Sequence, residues 1–196
     1  MEIIHNKLII KQKVEVSEVL LGFESKNKFQ ILTSDNQEFL YAFEESNWFE
    51  RVMFKQARSL TLKIIDKNKR EVLEIKKKFA FFHPHFEVFE NKQKIGEITT
   101  SGWFFKNSLD IIDRNKHVVL KGVSTFSHPW TYNIFRADGN EVNVQGTILK
   151  KFKGFGKTLF TDADHFNIDF KNIEDDELKT LVLALAFAID LYIFER

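Results

Sequence analysis

The 196-residue sequence has no cysteine, two prolines and eight glycines. Without cysteine these residues hold no disulfide framework, no thiolate metal site, no cysteine nucleophile and no palmitoyl or prenyl attachment point. Residues 1–13 lack the apolar stretch and small-residue cleavage site of a secretory signal. Met1-Glu2 offers no glycine for myristoylation. The chain is therefore expected to start and stay on the cytosolic side. An excess of one charge sign is missing too: 29 Lys and Arg stand against 28 Asp and Glu, a formal +1. A nucleic-acid binder carries a stronger basic excess, so no nucleic-acid partner is expected. What the chain does have is 22 phenylalanines, in a composition 43% hydrophobic and 29% charged. That is a globular chain with an aromatic core, and its length suits one domain over residues 1–196.

Most of the chain reads as strands. Ile64-Ile65-Asp66-Lys67-Asn68-Lys69 leads into Val72-Leu73-Glu74-Ile75, and Ile111-Ile112-Asp113-Arg114-Asn115-Lys116 leads into Val118-Val119-Leu120. The same phrase occurs twice: an apolar run, an Asp-x-Asn-Lys turn, a second apolar run. Asp and Asn suit turns because their short side chains bond nearby backbone and tolerate left-handed angles. Looser copies turn at Asp35-Asn36, at Asn91-Lys92, and at Asp138-Gly139 ahead of Val142-Asn143-Val144. The middle residues Ile64, Val88, Ile111 and Ile134 are spaced by 24, 23 and 23. Each unit is two strands without a helix, which makes a hairpin meander rather than a solenoid. About ten to twelve strands in one chain favour a barrel or curled sheet, which closes the exposed edges.

The C-terminal end changes character. Asp175-Asp176-Glu177 precedes Leu178, and Leu181 to Ile189 is apolar without a break. Acids ahead of the first turn suit the positive end of a helix, and Ala184, Ala186 and Ala188 favour one. Leu181, Leu185, Phe187, Ile189, Asp190 and Phe194 mark this helix, expected over about residues 176–194 after a barrel over about residues 2–172. A helix apolar on all faces either spans a membrane or fills a large core. From Leu178 to Phe194 it reaches ~25 Å, short for a hydrocarbon layer of ~30 Å, and it carries Asp190. A barrel of about twelve strands is too wide for its own side chains to fill, and this helix would supply the filling.

Several motifs invite chemistry. Gly154-Phe155-Gly156-Lys157-Thr158 resembles the tail of a phosphate loop, but the glycine required five residues before Gly156 is Lys151. Lys150, Lys151, Lys153 and Lys157, interleaved with Phe152 and Phe155, form a candidate patch for anionic lipid headgroups, with Trp103 or Trp130 at the interface. Lys76-Lys77-Lys78 is a weaker patch. Asp162 and Asp164 open a candidate calcium loop. Its further ligand positions would fall on Phe166, Ile168, Phe170 and Ile173, and the first three share one face of a strand. His83-Pro84-His85 puts two imidazoles on an extended segment, half of a metal site. No G-x-S-x-G is present and no acid can be matched to a catalytic His, so an enzyme is not expected.

Gly154-Phe155-Gly156-Lys157, then Phe160-Thr161-Asp162-Ala163-Asp164-His165-Phe166, then the ending Ala188-Ile189-Asp190-Leu191-Tyr192-Ile193-Phe194-Glu195 follow one another along the chain. In these phrases the C-terminal third resembles the phospholipid scramblase family. Upstream, Leu20-Leu21-Gly22-Phe23-Glu24, Glu44-Glu45-Ser46 and Arg58 with Leu62-Lys63-Ile64-Ile65-Asp66 follow in order. The resemblance implies a Tubby-like fold, a closed antiparallel barrel of about twelve strands around a central hydrophobic C-terminal helix. It also implies calcium-stimulated, bidirectional, energy-independent movement of phospholipid between leaflets, at membranes; the expected location is the cytoplasmic face of the plasma membrane or the cytoplasm. The alternative is a soluble barrel that binds anionic headgroups or a protein partner without moving lipid. The family's calcium segment corresponds to residues 162–173, and its cysteine-rich segment to residues 78–85, here without a cysteine. The resemblance begins near Leu8, and no counterpart of the family's proline-rich N-terminal extension is expected in these residues.

Overall fold

The structure is a computed structural model, and it describes residues 1–12, 18–23, 25, 27–45, 58–80, 83–101, 106–139, 142–151 and 165–194. Twelve strands lie among them. They are β1 (Lys7–Gln12), β2 (Lys28–Thr33), β3 (Glu38–Glu45), β4 (Leu60–Ile65), β5 (Glu71–Lys77) and β6 (His85–Glu90). They continue with β7 (Gln93–Thr100), β8 (Lys106–Asp113), β9 (Val118–Thr125), β10 (His128–Arg136), β11 (Gly146–Lys151) and β12 (His165–Asp169). Each strand pairs antiparallel with the next, and β1 also pairs with β12, through Leu8 opposite Ile168 and Ile10 opposite Phe166. That last ladder closes the barrel and leaves no free sheet edge.

The repeated turn phrase folds the same way twice. Asp66 Oδ1 accepts from the backbone N–H groups of Asn68 and Arg70, and Asp113 Oδ1 from those of Asn115 and His117. In both turns the lysine after the Asn takes a left-handed angle, φ 61° at Lys69 and φ 68° at Lys116. At Asn91-Lys92 both residues have positive φ, the two-residue hairpin geometry that matches strand twist. The Asp138-Gly139 turn behaves differently. Gly139 is not in the left-handed region, Val142 is exposed, and the ladder resumes at Gly146, so Val142–Val144 is loop rather than strand.

Helix α1 (Asp176–Ile189) runs through the barrel, and a π-helical turn, Asp190–Phe194, follows it. Asp175 caps its start, its side chain accepting from Leu178 N–H at 2.8 Å. The N-terminal segment clasps the same end: Ile3 N–H donates to Asp176 and Lys179 Nζ donates to the Ile3 carbonyl. Every residue from Leu181 to Ile189 is buried, packed against inward side chains such as Leu8, Ile31, Leu62, Ile75, Phe86, Ile111 and Ile134. The helix is therefore the core. Among the described residues no helix is long and apolar enough to cross a membrane, which leaves open what strands do.

Two glycines make room for it. A Cβ on Gly96 of β7 would lie 2.8 Å from Leu181 and 2.6 Å from the Ile112 carbonyl; one on Gly122 of β9 would lie 2.8 Å from Leu185. Leu181 and Leu185 are four apart, one above the other on a single helix face. That face presses directly on the sheet where no side chain intervenes.

Candidate functional site

At one end of the barrel lie the last residues of the odd-numbered strands and the C-terminal end of α1. Strand alternation decides where the lysines of β11 point. Gly146, Ile148 and Lys150 face inward, while Thr147, Leu149 and Lys151 face out. Lys150 is thus not part of a surface patch, contrary to the sequence reading that grouped it with its neighbours. It is 7% exposed, its Nζ lies 2.8 Å from Asp190 Oδ1, and it sits 4.9 Å from the Phe166 ring centroid. An ammonium in an apolar barrel needs such a partner, because an uncompensated charge there is expensive. Lys151 is exposed. Lys153, Lys157, Asp162, Asp164 and Trp103 lie outside the described residues.

The candidate calcium loop meets a strand. Phe166, Ile168, Phe170 and Ile173, which would occupy four of its ligand positions, are all buried in the core. A loop of the EF-hand type needs those positions turned toward the ion. The residues of β12 do not fit such a site, and no calcium-dependent step is assigned to them.

His83 and His85 do not converge on one ligand. His83 is exposed and its Nδ1 lies 3.4 Å from Thr100 Oγ1, whereas His85 Nε2 lies 3.4 Å from Glu97 Oε2. His85 instead joins a group that sequence reasoning missed. The ligand atoms of His85, Glu87 and Glu97 lie within 4.8 Å of one another on the outer face of β6 and β7. Three ammonium groups already neutralise the carboxylates. Lys94 Nζ lies 2.5 Å from Glu87 and 2.6 Å from Glu97, Lys78 lies 2.9 Å from Glu87, and Lys116 also pairs with Glu97. Burial alone would raise the Glu97 carboxyl; the hydrogen bonds from Lys116 and Lys94 outweigh it and bring it to about 2. Glu87 is likewise lowered, chiefly by its bond from Lys94. Burial, the largest influence on His85, holds its imidazole below the usual value. The group reads as an ion-pair network. A β-bulge between Val88 and Phe89 places Glu87 opposite Glu97; an unbroken hairpin from Asn91-Lys92 would have placed it opposite Gly96. The bulge has no signature in the sequence, which is why the pairing was not foreseen.

A second buried network sits at the same barrel end as Lys150. Glu44 accepts from Asn27 Nδ2 at 2.6 Å and pairs with Arg58, while Lys77 Nζ donates to the Arg58 carbonyl at 2.8 Å. Glu44 and Arg58 are among the residues that carried the family resemblance, and their role here is to hold the barrel wall together. Among the described residues, those exposed at this end include Lys151 of β11 and half-exposed Trp130 of β10, a cation and an amphipathic ring suited to phosphate and lipid.

A family model described as Scramblase matches residues 1–196. Phospholipid scramblase 1 of Mus musculus is 29% identical over 204 residues, covering 97% of this chain and 62% of the mouse protein. Phospholipid scramblase family member 5 of Homo sapiens is 29% identical over 200 residues, 96% of this chain and 74% of that protein. Human Phospholipid scramblase 2 is 29% identical over 202 residues, 96% and 67% respectively. The chain spans about three-fifths of the length of its mouse and rat relatives. No solved structure matches it.

Proposed function

The chain belongs to the Scramblase family, and we propose that it works at phospholipid surfaces as a closed barrel that binds anionic headgroups while α1 stays inside. The observation that carries this reading is the complete burial of Leu181 to Ile189. A helix spent on filling the barrel is not also available as an anchor, and withdrawing it would empty the core. The relatives' names supply the phospholipid. The exposed Lys151 supplies an attraction of ~1 kcal/mol at an anionic surface, to which neighbouring lysines would add. The proposed location is the cytoplasmic face of the plasma membrane.

A second reading is movement of phospholipid between leaflets, which the relatives' names favour. A headgroup crossing hydrocarbon needs a polar path. Lys150 of β11 and Asp190, in the turn that follows α1, put a charged pair near one barrel end.

Flotation with phosphatidylserine-containing vesicles tests the first reading. Binding released by high salt is expected; binding that survives a carbonate wash would mean an inserted helix and would overturn it. Reconstitution with a fluorescent phospholipid and an outer-leaflet quencher, with and without calcium, tests the second.

A further inference from the structure

At the end where α1 begins, the barrel holds a cavity of about 400 Å³. Its floor is aliphatic: Leu120 of β9 and Ile173, both buried, with Leu178 of α1 beside them. Its walls follow the order of the barrel. Arg136, the last residue of β10, stands on one flank, and Glu174 and Asp175, which follow β12, stand on the other. Gln145, just before β11, and Asn172 lie between them. An apolar floor with a few convergent polar groups, at this size, is the usual form of a small-molecule site.

The polar groups are braced and yet unused. Gln145 N–H donates to the Ile134 carbonyl at 2.7 Å, and Asn172 N–H to the Gln145 carbonyl at 2.8 Å. Gln145 Nε2 donates to the Asn143 carbonyl and Asn172 Nδ2 to the Val144 carbonyl, which leaves both amide oxygens to accept. Of the four consecutive acids, Asp175 caps α1 through Leu178 N–H, Asp176 accepts from Ile3 N–H and Glu177 pairs with Arg114. The Glu174 side chain has no partner among the described residues. Likewise Arg58, Arg70 and Arg114 each pair with a carboxylate, while Arg136 pairs with none among the described residues. A cation and an anion thus face one cavity from opposite flanks without meeting.

We propose that this cavity binds a phosphoethanolamine group, with its phosphate on Arg136 and its primary ammonium on Glu174 and Asp175. The flanks belong to strands two places apart, ~10 Å at the backbone, so the ligand must carry its charges at separate ends. An α-amino acid carries both on one carbon. The guanidinium fork suits phosphate, and the methylenes between the charges lie on the aliphatic floor. Carboxylates and amide oxygens accept N–H bonds, which a trimethylammonium cannot donate. Such a group is held by aromatic rings, and none lines this cavity. A serine headgroup would bring a further carboxylate against Glu174 and Asp175, like charge against like. The inference rests on the reading that the chain works at phospholipid surfaces, and it adds a headgroup class that attraction to an anionic surface does not select. Free phosphoethanolamine carries the same chemistry, and the test separates the two sources.

The isotope-labelled full chain is titrated with glycerophosphoethanolamine, glycerophosphocholine and glycerophosphoserine, without a bilayer. Glycerophosphoethanolamine should bind about tenfold more tightly than the other two and shift the side-chain NH₂ resonances of Gln145 and Asn172. Arg136→Gln and Glu174→Gln should each lower its affinity about tenfold and leave the thermal melt unchanged, since neither side chain bonds to the described fold. Equal affinity for the three compounds, or undiminished affinity in both variants, would overturn the proposal. Flotation with phosphatidylcholine vesicles containing phosphatidylethanolamine identifies the source. Release by excess glycerophosphoethanolamine supports a lipid-borne headgroup, whereas soluble binding without flotation assigns the cavity to free phosphoethanolamine. Flotation on phosphatidylserine vesicles with no binding of glycerophosphoethanolamine would strike the cavity and leave the phospholipid reading standing.

Discussion

Lys150 Nζ lies 2.8 Å from Asp190 Oδ1, joining the wall of the barrel to the end of the helix that fills it. Forty residues of sequence separate the two, and each is 7% exposed. The pair sets where the helix stops along the barrel axis, because moving α1 by one turn would strand both charges in apolar surroundings.

Breaking this pair from one side is expected to be costly. Lys150→Met leaves a buried carboxylate and Asp190→Leu leaves a buried ammonium, each losing about 3–5 kcal/mol. The double variant removes both charges and should recover most of that loss. Urea unfolding of the four proteins measures the coupling; equal and additive losses would show that the pair is not a unit.

The two glycines facing α1 offer a separate check on the position of the helix. Gly96→Ala meets backbone, the Ile112 carbonyl, as well as Leu181, and should destabilise by about 1–3 kcal/mol. Gly122→Ala meets a flexible end of Leu185 and should cost less. In a Leu185→Ala background the Gly122→Ala change should become nearly neutral, since the colliding methyl is gone. A Gly122→Ala cost unaffected by Leu185→Ala would place the helix face elsewhere.

Glu44 and Arg58 form the other buried pair, with Asn27 on the second carboxylate oxygen. Arg58→Ala should cost about 3–5 kcal/mol by removing the cation paired with the buried Glu44 carboxylate. Arg58→Lys keeps the charge but loses the planar fork, and should fall between wild type and Arg58→Ala. Thermal melts of the three proteins rank them; a Lys variant no better than the Ala variant would show that geometry, not charge, holds the wall.

The hairpins and the central helix were legible because their signals are local. Asp66 and Asp113 announce their turns through bonds to backbone two and four residues away. The unbroken apolar run to Ile189 has one place to go once a wide barrel surrounds it. The inward turn of Lys150 was not read, although alternation with the buried Ile148 carries it. The four lysines were read as one charge cluster, and the partner that makes an inward lysine tolerable is distant in sequence. Glu87 facing Glu97 was out of reach for a different reason: one bulged residue shifts the register, and a one-residue shift changes every cross-strand partner. Asp138-Gly139 misled in the opposite way, since a strong hairpin dipeptide sits at the start of a longer loop.

The Glu97 network predicts a specific pH dependence. The folded-state carboxyl lies at about 2 against an ordinary 4.5, held down by Lys116 and Lys94 despite its burial. A depressed carboxyl stabilises the fold at any pH above its unfolded value, and that contribution disappears as pH falls through the folded value. Glu97→Gln should therefore be less stable than wild type at neutral pH. The gap should stay constant down to about pH 4.5 and close between about 4.5 and 2. Other carboxylates titrate in the same window but are common to both proteins, so the difference between their urea midpoints isolates Glu97. A gap that persists unchanged to pH 2 would mean that the lysines contribute packing rather than charge to this face of the barrel.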